Sequence, residues 1–401
     1  MRPTGRLHIG HYFGALKNWV KLQDQYDCFY FVADWHALTT DYTDASQVAR
    51  NTIEIGTDWL AAGLDPAKCT LFVQSQVPEH AELHLLLSML TPLGWLERVP
   101  TYKEQIAQLK DKDLSTYGFL GYPLLQTADI VIYDADFVPV GEDQVPHVEL
   151  SREIVRRFNA AYGLVDWQAA SPTALVELEK QLGIAAETAS AKTKAVSARV
   201  EETMRGLSID HRLSLLANAN VPMQNVLCEP GHLLTETSRL VGTDGRRMAK
   251  SYGNFVMLSE EPETTRTKVR NMMTDPARKR RSDKGNPDVC PVFSWHKLFS
   301  PLATIERVDR ECRTAEIGCV DCKKMMADNL VKWMEPIRVR RQEYEAHPQR
   351  VLEILDEGSK KARKVAQATM ARVREAIFGW DEERKRFGSA ATSTKPVSAG
   401  D

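Results

Sequence analysis

Two short stretches of this chain carry residue types suited to phosphate chemistry. Thr4-Gly5-Arg6-Leu7-His8-Ile9-Gly10-His11 runs from a loop into a helical pattern. Glycines at 5 and 10 allow backbone to approach a ligand closely, and a helix N-terminus offers unpaired N–H groups to an anion. Imidazoles three residues apart share one face of that first turn and can donate hydrogen bonds to phosphate oxygens as charge builds. Much later, Asp244-Gly245-Arg246-Arg247-Met248-Ala249-Lys250-Ser251 forms a glycine-bearing loop with an ammonium near its tip. A mobile lysine there can close over a triphosphate and stabilise a departing pyrophosphate. Taken singly, each stretch also fits a blander role, a surface histidine pair or a solvated basic loop.

Four cysteines, Cys290, Cys312, Cys319 and Cys322, stand in a C-x21-C-x6-C-x2-C pattern. A C-x2-C clip brings two thiolates onto one metal centre, as zinc and iron–sulfur sites both require, so a metal site is expected and its identity stays open. Cys28, Cys69 and Cys228 read as buried or inert thiols. Just ahead of the cluster, Arg278-Lys279-Arg280-Arg281 supplies positive charge of the kind an RNA backbone needs. A further carboxylate, Asp129, lies inside the apolar run Tyr122–Ile130, where an unpaired charge is costly and a partner is expected.

The elements that must hold these groups follow from periodicity. Apolar residues recur at helical spacing over 11–22, an apolar run occupies 28–33, a helical segment covers 46–64, and a second short run covers 70–73. This is the βαβ alternation that builds a parallel sheet, and residues 127–133, 137–140 and a helix over 145–158 extend the same α/β domain. Residues 167–226 turn alanine-rich, with Leu175, Leu178 and Leu182 on one helical face and Val196, Val200, Met204 and Leu207 on another, which predicts an inserted helical hairpin or bundle. Between 266 and 284 eight Lys/Arg face two acids, so basic charge gathers in the C-terminal half although the chain as a whole carries 52 Lys+Arg against 54 Asp+Glu. Ala362, Ala366, Met370, Val373 and Ile377 mark a long amphipathic helix, and 388–401 reads as a disordered tail. At 401 residues there is room for two or three packed units. With no apolar span and an odd, unevenly spaced set of cysteines, a soluble cytoplasmic protein is expected.

Together and in this order, the two phosphate stretches resemble the HIGH and KMSKS signatures of class I aminoacyl-tRNA synthetases. Between them, Tyr122-Pro123-Leu124-Leu125-Gln126-Thr127-Ala128-Asp129-Ile130 and Val138-Pro139-Val140-Gly141-Glu142-Asp143-Gln144 are similar to the amino-acid-binding helix and following strand-loop of tryptophanyl-tRNA synthetases. The resemblance covers roughly 1–166 and 227–380, four blocks in the expected order. It implies a Rossmann-like parallel-sheet catalytic domain at 1–166, continued over 227–262 after the 167–226 insertion, and an α-helical anticodon-binding domain at 263–387.

The resemblance also implies the roles. ATP, with Mg²⁺, is bound by Thr4, Gly5, Gly10, Gly141, Asp143, Met248, Lys250 and Ser251. His8, His11 and Lys250 stabilise phosphate charge. L-Tryptophan is bound by His36, Tyr122, Gln126, Asp129, Val138, Val140 and Gln144, with Asp129 accepting the indole N–H. Tryptophan differs from phenylalanine by that one donor, so a buried acceptor left unpaired penalises the wrong substrate. Cys290, Cys312, Cys319 and Cys322 hold a 4Fe–4S cluster, or zinc, beside a tRNA-binding surface that includes Arg278, Lys279, Arg280 and Arg281. The partners are tRNA(Trp) and a second copy in a homodimer.

Two departures stand out. Arg247 and Ala249 occupy the first Lys and first Ser positions of the lysine signature, leaving Lys250 and Ser251 to do its work, and Gln126 stands where many members carry Met. Family members also begin with a short strand before the loop that opens this chain, which implies that one sheet strand and an indole-lining residue are missing from 1–401. Three other readings share features: a tyrosyl-tRNA synthetase, a small-molecule nucleotidyltransferase, and a synthetase-like RNA-binding protein without catalysis. The second needs neither the lysine loop nor the cysteines.

Overall fold

The computed structural model describes residues 1–108, 113–166, 168–184, 194–234 and 240–391. A helical run over Ile9–Leu22, widened to a π-helix at Tyr12–Leu16, precedes β1 (Cys28–Val32), α1 (Asp34–Asp41), α2 (Val48–Ala62) and β2 (Cys69–Val73). Then come α3 (Glu79–Ser88), α4 (Tyr122–Val131), β3 (Phe137–Val140), α5 (Val145–Tyr162), β4 (Leu164–Val165), α6 (Pro172–Gln181), α7 (Lys194–Arg205), α8 (Ile209–Ala219), β5 (Met223–Gln224) and β6 (Gly231–Leu234). The helical C-terminal part holds α9 (Pro262–Arg270), α10 (Pro291–Phe299), α11 (Leu302–Arg313), α12 (Cys319–Ala346), α13 (Pro348–Phe378) and α14 (Trp380–Ala391).

The chain divides into two compact units, Met1–Gln76 with Thr235–Ala362, and Val77–Leu234 with Arg363–Asp401. In the first, β1 and β2 pair in parallel from Cys28 opposite Cys69 to Val32 opposite Val73. Both strands come from β-branched and aromatic runs, and β2 is buried along its whole length, as a strand covered on both faces must be. Met1 lies along the end of β1: its ammonium donates to the Phe31 carbonyl (2.7 Å) and the Ala33 N–H donates to the Met1 carbonyl (2.8 Å). Helix α2 ends earlier than the Asp65-Pro66 pair suggests, because Gly63 takes the left-handed conformation (φ 112°) that closes a helix. Long α12 packs on both α2 and α9. Trp59, Trp295, Met326 and Leu330 are fully buried in the shared core.

In the second unit β3 and β6 pair in parallel from Phe137 opposite Gly231 to Val140 opposite Leu234, while α3 packs on α4 and α4 on α5. Residues 127–131 belong to α4, with Pro123 in its first turn, where a missing N–H costs nothing. The short antiparallel pair β4–β5 closes the base of the inserted helices, whose separate core contains Leu175, Leu178, Val200, Met204 and Leu215. The insertion, expected as a helical hairpin or bundle, holds three helices among the described residues, and the Val196 side chain lies outside those residues. Residues 388–391, expected within a disordered tail, continue α14; 392–401 lie outside the described residues. Among the described residues no helix is long and apolar enough to cross a membrane.

Candidate active site

The two phosphate stretches, far apart in sequence, meet inside the first unit. Ile9 N–H donates to the Val256 carbonyl (3.0 Å) and Leu258 N–H to the Leu7 carbonyl (2.9 Å), so the opening loop and the segment after the lysine loop pair like strands around His8 and Met257. Lys250 Nζ then donates to the Thr4 carbonyl at 2.8 Å. Gly5 holds φ 92°, a conformation that disfavours a side chain, and an added Cβ would come 3.5 Å from Lys250 Nζ. At Gly10 a Cβ would lie 2.9 Å from His8 Nδ1 and 3.3 Å from Met248 Sδ, so only glycine lets the imidazole and the methionine close on this turn. The geometry brings together Thr4, Gly5, His8, Gly10, His11, Met248 and Lys250, whereas Ser251 faces solvent.

His8 and His11 stack with ring centroids 3.7 Å apart, and His8 N–H donates to His11 Nδ1 (3.2 Å). Burial, aided by the Lys250 charge, lowers the His8 pKa to about 4; burial, then His8 and Lys250, lowers that of His11 to about 3. Both rings are therefore neutral at pH 7. Lys250 is held below its ordinary range by burial, partly offset by Asp58. One half-buried ammonium beside two neutral donors is a site short of negative charge, which a triphosphate supplies. The lysine loop is braced by buried Asn254, which donates to Asp244 Oδ1 (2.7 Å) and the Arg247 carbonyl (3.0 Å) and accepts from Ala249 N–H (2.8 Å).

Beneath this loop lies an ion network that periodicity does not reveal. Asp58 of α2, fully buried, accepts from Leu7 N–H (2.6 Å) through one oxygen and from Arg341 of α12 through the other. Arg341, itself buried, also reaches Glu54 and Glu345, and Arg6 bridges the same two glutamates. Burial pushes the Asp58 carboxyl up to about 6 while Arg341 and Leu7 N–H pull it down, so it is ionised at neutral pH.

Residues expected around the amino acid fall in both units. His36, in the first, sits in α1 with its N–H toward Gln74 Oε1 (3.4 Å). In the second unit, Tyr122, Gln126 and Asp129 lie on α4, Val138 and Val140 on β3, and Gly141, Asp143 and Gln144 in the turn that follows. Tyr122 OH bonds to Thr101 Oγ1 (2.6 Å), which also meets His147 Nε2 (2.7 Å). Asp129, 3% exposed, has the partner its burial demands: His80 Nδ1 at 2.5 Å, with His80 Nε2 in turn 2.5 Å from Tyr133 OH. Thr101, His147, His80 and Tyr133 were not legible as site residues, since nothing local marks them.

The four cysteines converge at the start of α10, the end of α11 and the first turn of α12. Burial, and then the proximity of Cys290, Cys312 and Cys319, pushes the Cys322 thiol up to about 12. Among the described residues, however, no group of three or more His, Cys, Asp or Glu side chains is disposed to hold a metal ion. The basic run needs a correction. Arg278 does not face solvent: it is buried, donating to the Ile317 carbonyl (2.7 Å) and the Arg281 carbonyl (3.1 Å), with Cys312 Sγ at 3.6 Å. Two loop carbonyls beside the thiols require a donor there, and a guanidinium meets both. Lys279, Arg280 and Arg281 remain exposed.

The family model for class I tRNA synthetases (W and Y) matches residues 1–181 and 213–335. A tryptophan--tRNA ligase from Ralstonia nicotianae is 50% identical, the match covering 94% of this chain and 96% of that one. The chain belongs to the tryptophanyl-tRNA synthetases. The Thermotoga maritima tryptophan--tRNA ligase is 45% identical over 94% of this chain and 97% of its own. Among solved structures, tryptophanyl-tRNA synthetase from Campylobacter jejuni, complexed with ADP and tryptophan, superposes with a TM-score of 0.70 at 28% identity, covering 94% of this chain and 98% of that one. The gap in the family match, 182–212, falls within the 167–226 insertion.

Proposed function

We infer that the chain catalyses ATP-dependent activation of L-tryptophan and its transfer to tRNA(Trp), as a tryptophan--tRNA ligase; the observation that carries this is the meeting of His8, His11 and Lys250 in a family member of this identity. In the first step the tryptophan carboxylate attacks the α-phosphate, the bond to the β-phosphate bridge breaks, and pyrophosphate leaves. In the second, the 2′-hydroxyl of the terminal adenosine attacks the carbonyl and AMP leaves. Neither step needs an enzyme nucleophile, so positioning and charge stabilisation do the catalysis. Neutral His8 and His11 donate to phosphate oxygens without carrying a charge of their own, and Lys250 leaves the Thr4 carbonyl to meet the charge that appears on pyrophosphate. Thr4, Gly5, Gly10, Met248 and Ser251, with Gly141 and Asp143, form the ATP contacts. Mg²⁺ enters with ATP, held chiefly by phosphate oxygens as is usual for this ion.

Asp129 accepts the indole N–H, Tyr122, Gln126, Gln144 and His36 meet the polar end of the amino acid, and Val138 and Val140 wall the ring. Residues 263–387 bind the anticodon arm, with Lys279, Arg280 and Arg281 on the phosphate backbone, and 167–226 is an insertion. Cys290, Cys312, Cys319 and Cys322 are the residues that would hold a 4Fe–4S cluster, zinc being the alternative; the C-x2-C clip and the nearness of the other three thiols to Cys322 support this, while the side chains as placed are not disposed around a metal. A homodimer is supported by apolar Leu85, Met89 and Leu93, each more than half exposed. The test is pyrophosphate exchange and tRNA charging with tryptophan and with tyrosine. Exchange with tryptophan alone is expected; preference for tyrosine, or no exchange with either, refutes the reading.

A further inference from the structure

Asp129 is not a lone acceptor. Its carboxylate is gripped by a histidine that no part of the reaction described so far uses. His80 comes from the first turn of α3, is fully buried, and is bonded through both ring nitrogens, Nδ1 to Asp129 Oδ1 and Nε2 to Tyr133 OH, each at 2.5 Å. Asp129 lies in the last turn of α4 and Tyr133 in the turn just beyond that helix's end, and His80 bridges them from the neighbouring helix.

The polarity of the chain follows from the donors. An ionised carboxylate only accepts, so Nδ1 carries a hydrogen; in a neutral imidazole Nε2 is then an acceptor, and Tyr133 O–H donates to it. With Asp129 ionised and His80 neutral, the hydrogen bonds run from Tyr133 through His80 to Asp129, and Tyr133 holds the tautomer that keeps an N–H on the carboxylate. A carboxylate has about four lone-pair sites, and the bond to His80 takes one of them. What the bond removes is rotation about the last torsion of Asp129, which is otherwise broad.

We propose that His80 is a positioning residue for indole recognition, holding Asp129 so that its carboxylate meets the indole N–H, with Tyr133 locking the imidazole. This rests on the reading of Asp129 as the indole acceptor. The probe is pyrophosphate exchange with L-tryptophan and with 3-(3-benzothienyl)-L-alanine, in which sulfur replaces the N–H. Asp129→Ala sets the benchmark and should collapse the preference for tryptophan. His80→Leu should cut that preference by about tenfold, through the KM for tryptophan, with kcat and the KM for ATP nearly unchanged. His80→Asn, which keeps an N–H toward Asp129, should recover most of it, and Tyr133→Phe should cost about two- to threefold.

If Asp129→Ala leaves the preference intact, the indole reading fails and the proposal falls with it. If Asp129→Ala collapses the preference while folded His80→Leu retains it, the indole reading stands and His80 is merely packed there. Should His80→Leu not fold, Tyr133→Phe, which loses one hydroxyl and no volume, decides the matter, and an unchanged preference in it overturns the proposal.

Discussion

Replacing Arg341 by Met tests whether the opening loop is held by a buried charge pair. The side chains of Arg341 and Asp58 are 1% and 0% exposed, so neither is screened by water. Without the guanidinium, Asp58 keeps one partner, the Leu7 N–H, and breaking a buried pair in this way costs about 3–5 kcal/mol. Glu54 and Glu345 are partly exposed and still meet Arg6, so their share is roughly 0–1 kcal/mol. The expected loss is about 4 kcal/mol, a large part of the ~5–15 kcal/mol that a folded chain has. Asp58→Asn keeps an oxygen for Leu7 and should cost about 1–3 kcal/mol. The double variant should be about 2 kcal/mol more stable than the sum of the two losses implies, because each single change orphans what the other removes. Urea unfolding monitored by tryptophan fluorescence reads all four proteins, with an unchanged m-value required. A loss below about 1 kcal/mol for Arg341→Met, or strict additivity in the cycle, refutes the argument. Because Leu7 precedes His8, Arg341→Met should also raise the KM for ATP more than that for tryptophan.

Lys250→Ala should lower turnover in pyrophosphate exchange while leaving the KM for tryptophan nearly intact; normal turnover with weakened ATP binding would reassign its role. The folded-state pKa values of His8 and His11, about 4 and 3, lie below the ordinary 6.5, so the unfolded chain takes up protons first. Their contribution to stability is complete above pH 6.5 and is lost as pH falls through 6.5 toward 4 and 3, a loss of melting temperature that His11→Asn should reduce. For the same reason kcat/KM for ATP should lack an acidic limb near 6.5; a limb there that disappears in His11→Asn contradicts neutral histidines. Anaerobically purified protein should be brown with about four irons per chain, and colourless protein with one zinc would replace the iron assignment.

The phosphate machinery was legible because its chemistry is dense and local. Glycines and histidines stand within one turn, and a lysine stands in a glycine-bearing loop, so residue type and spacing suffice. Strands β1 and β2 were legible for the same local reason. What escaped is tertiary: His80 finds Asp129 only because α3 packs on α4, and Arg341 meets Asp58 across 283 positions of sequence. A lone histidine or arginine in a helix carries no mark of such a partner. Arg278 misleads in the opposite direction, since four consecutive cations read as an RNA-facing patch, yet one of them turns inward to satisfy two carbonyls.

Helix α12 links two of these features mechanically. Cys319 and Cys322 occupy its first turn, and Arg341 lies about 22 residues further on, ~33 Å at 1.5 Å per residue. Pro336, inside the helix, removes one backbone hydrogen bond between these two points. With a lever of this length, a tilt of about 2° at the cysteine end moves the guanidinium by about 1 Å, a displacement that matters where catalysis depends on placement. Because α12 packs on α2 and α9, such a tilt is resisted along the length of the rod and not at the thiol-bearing turn alone.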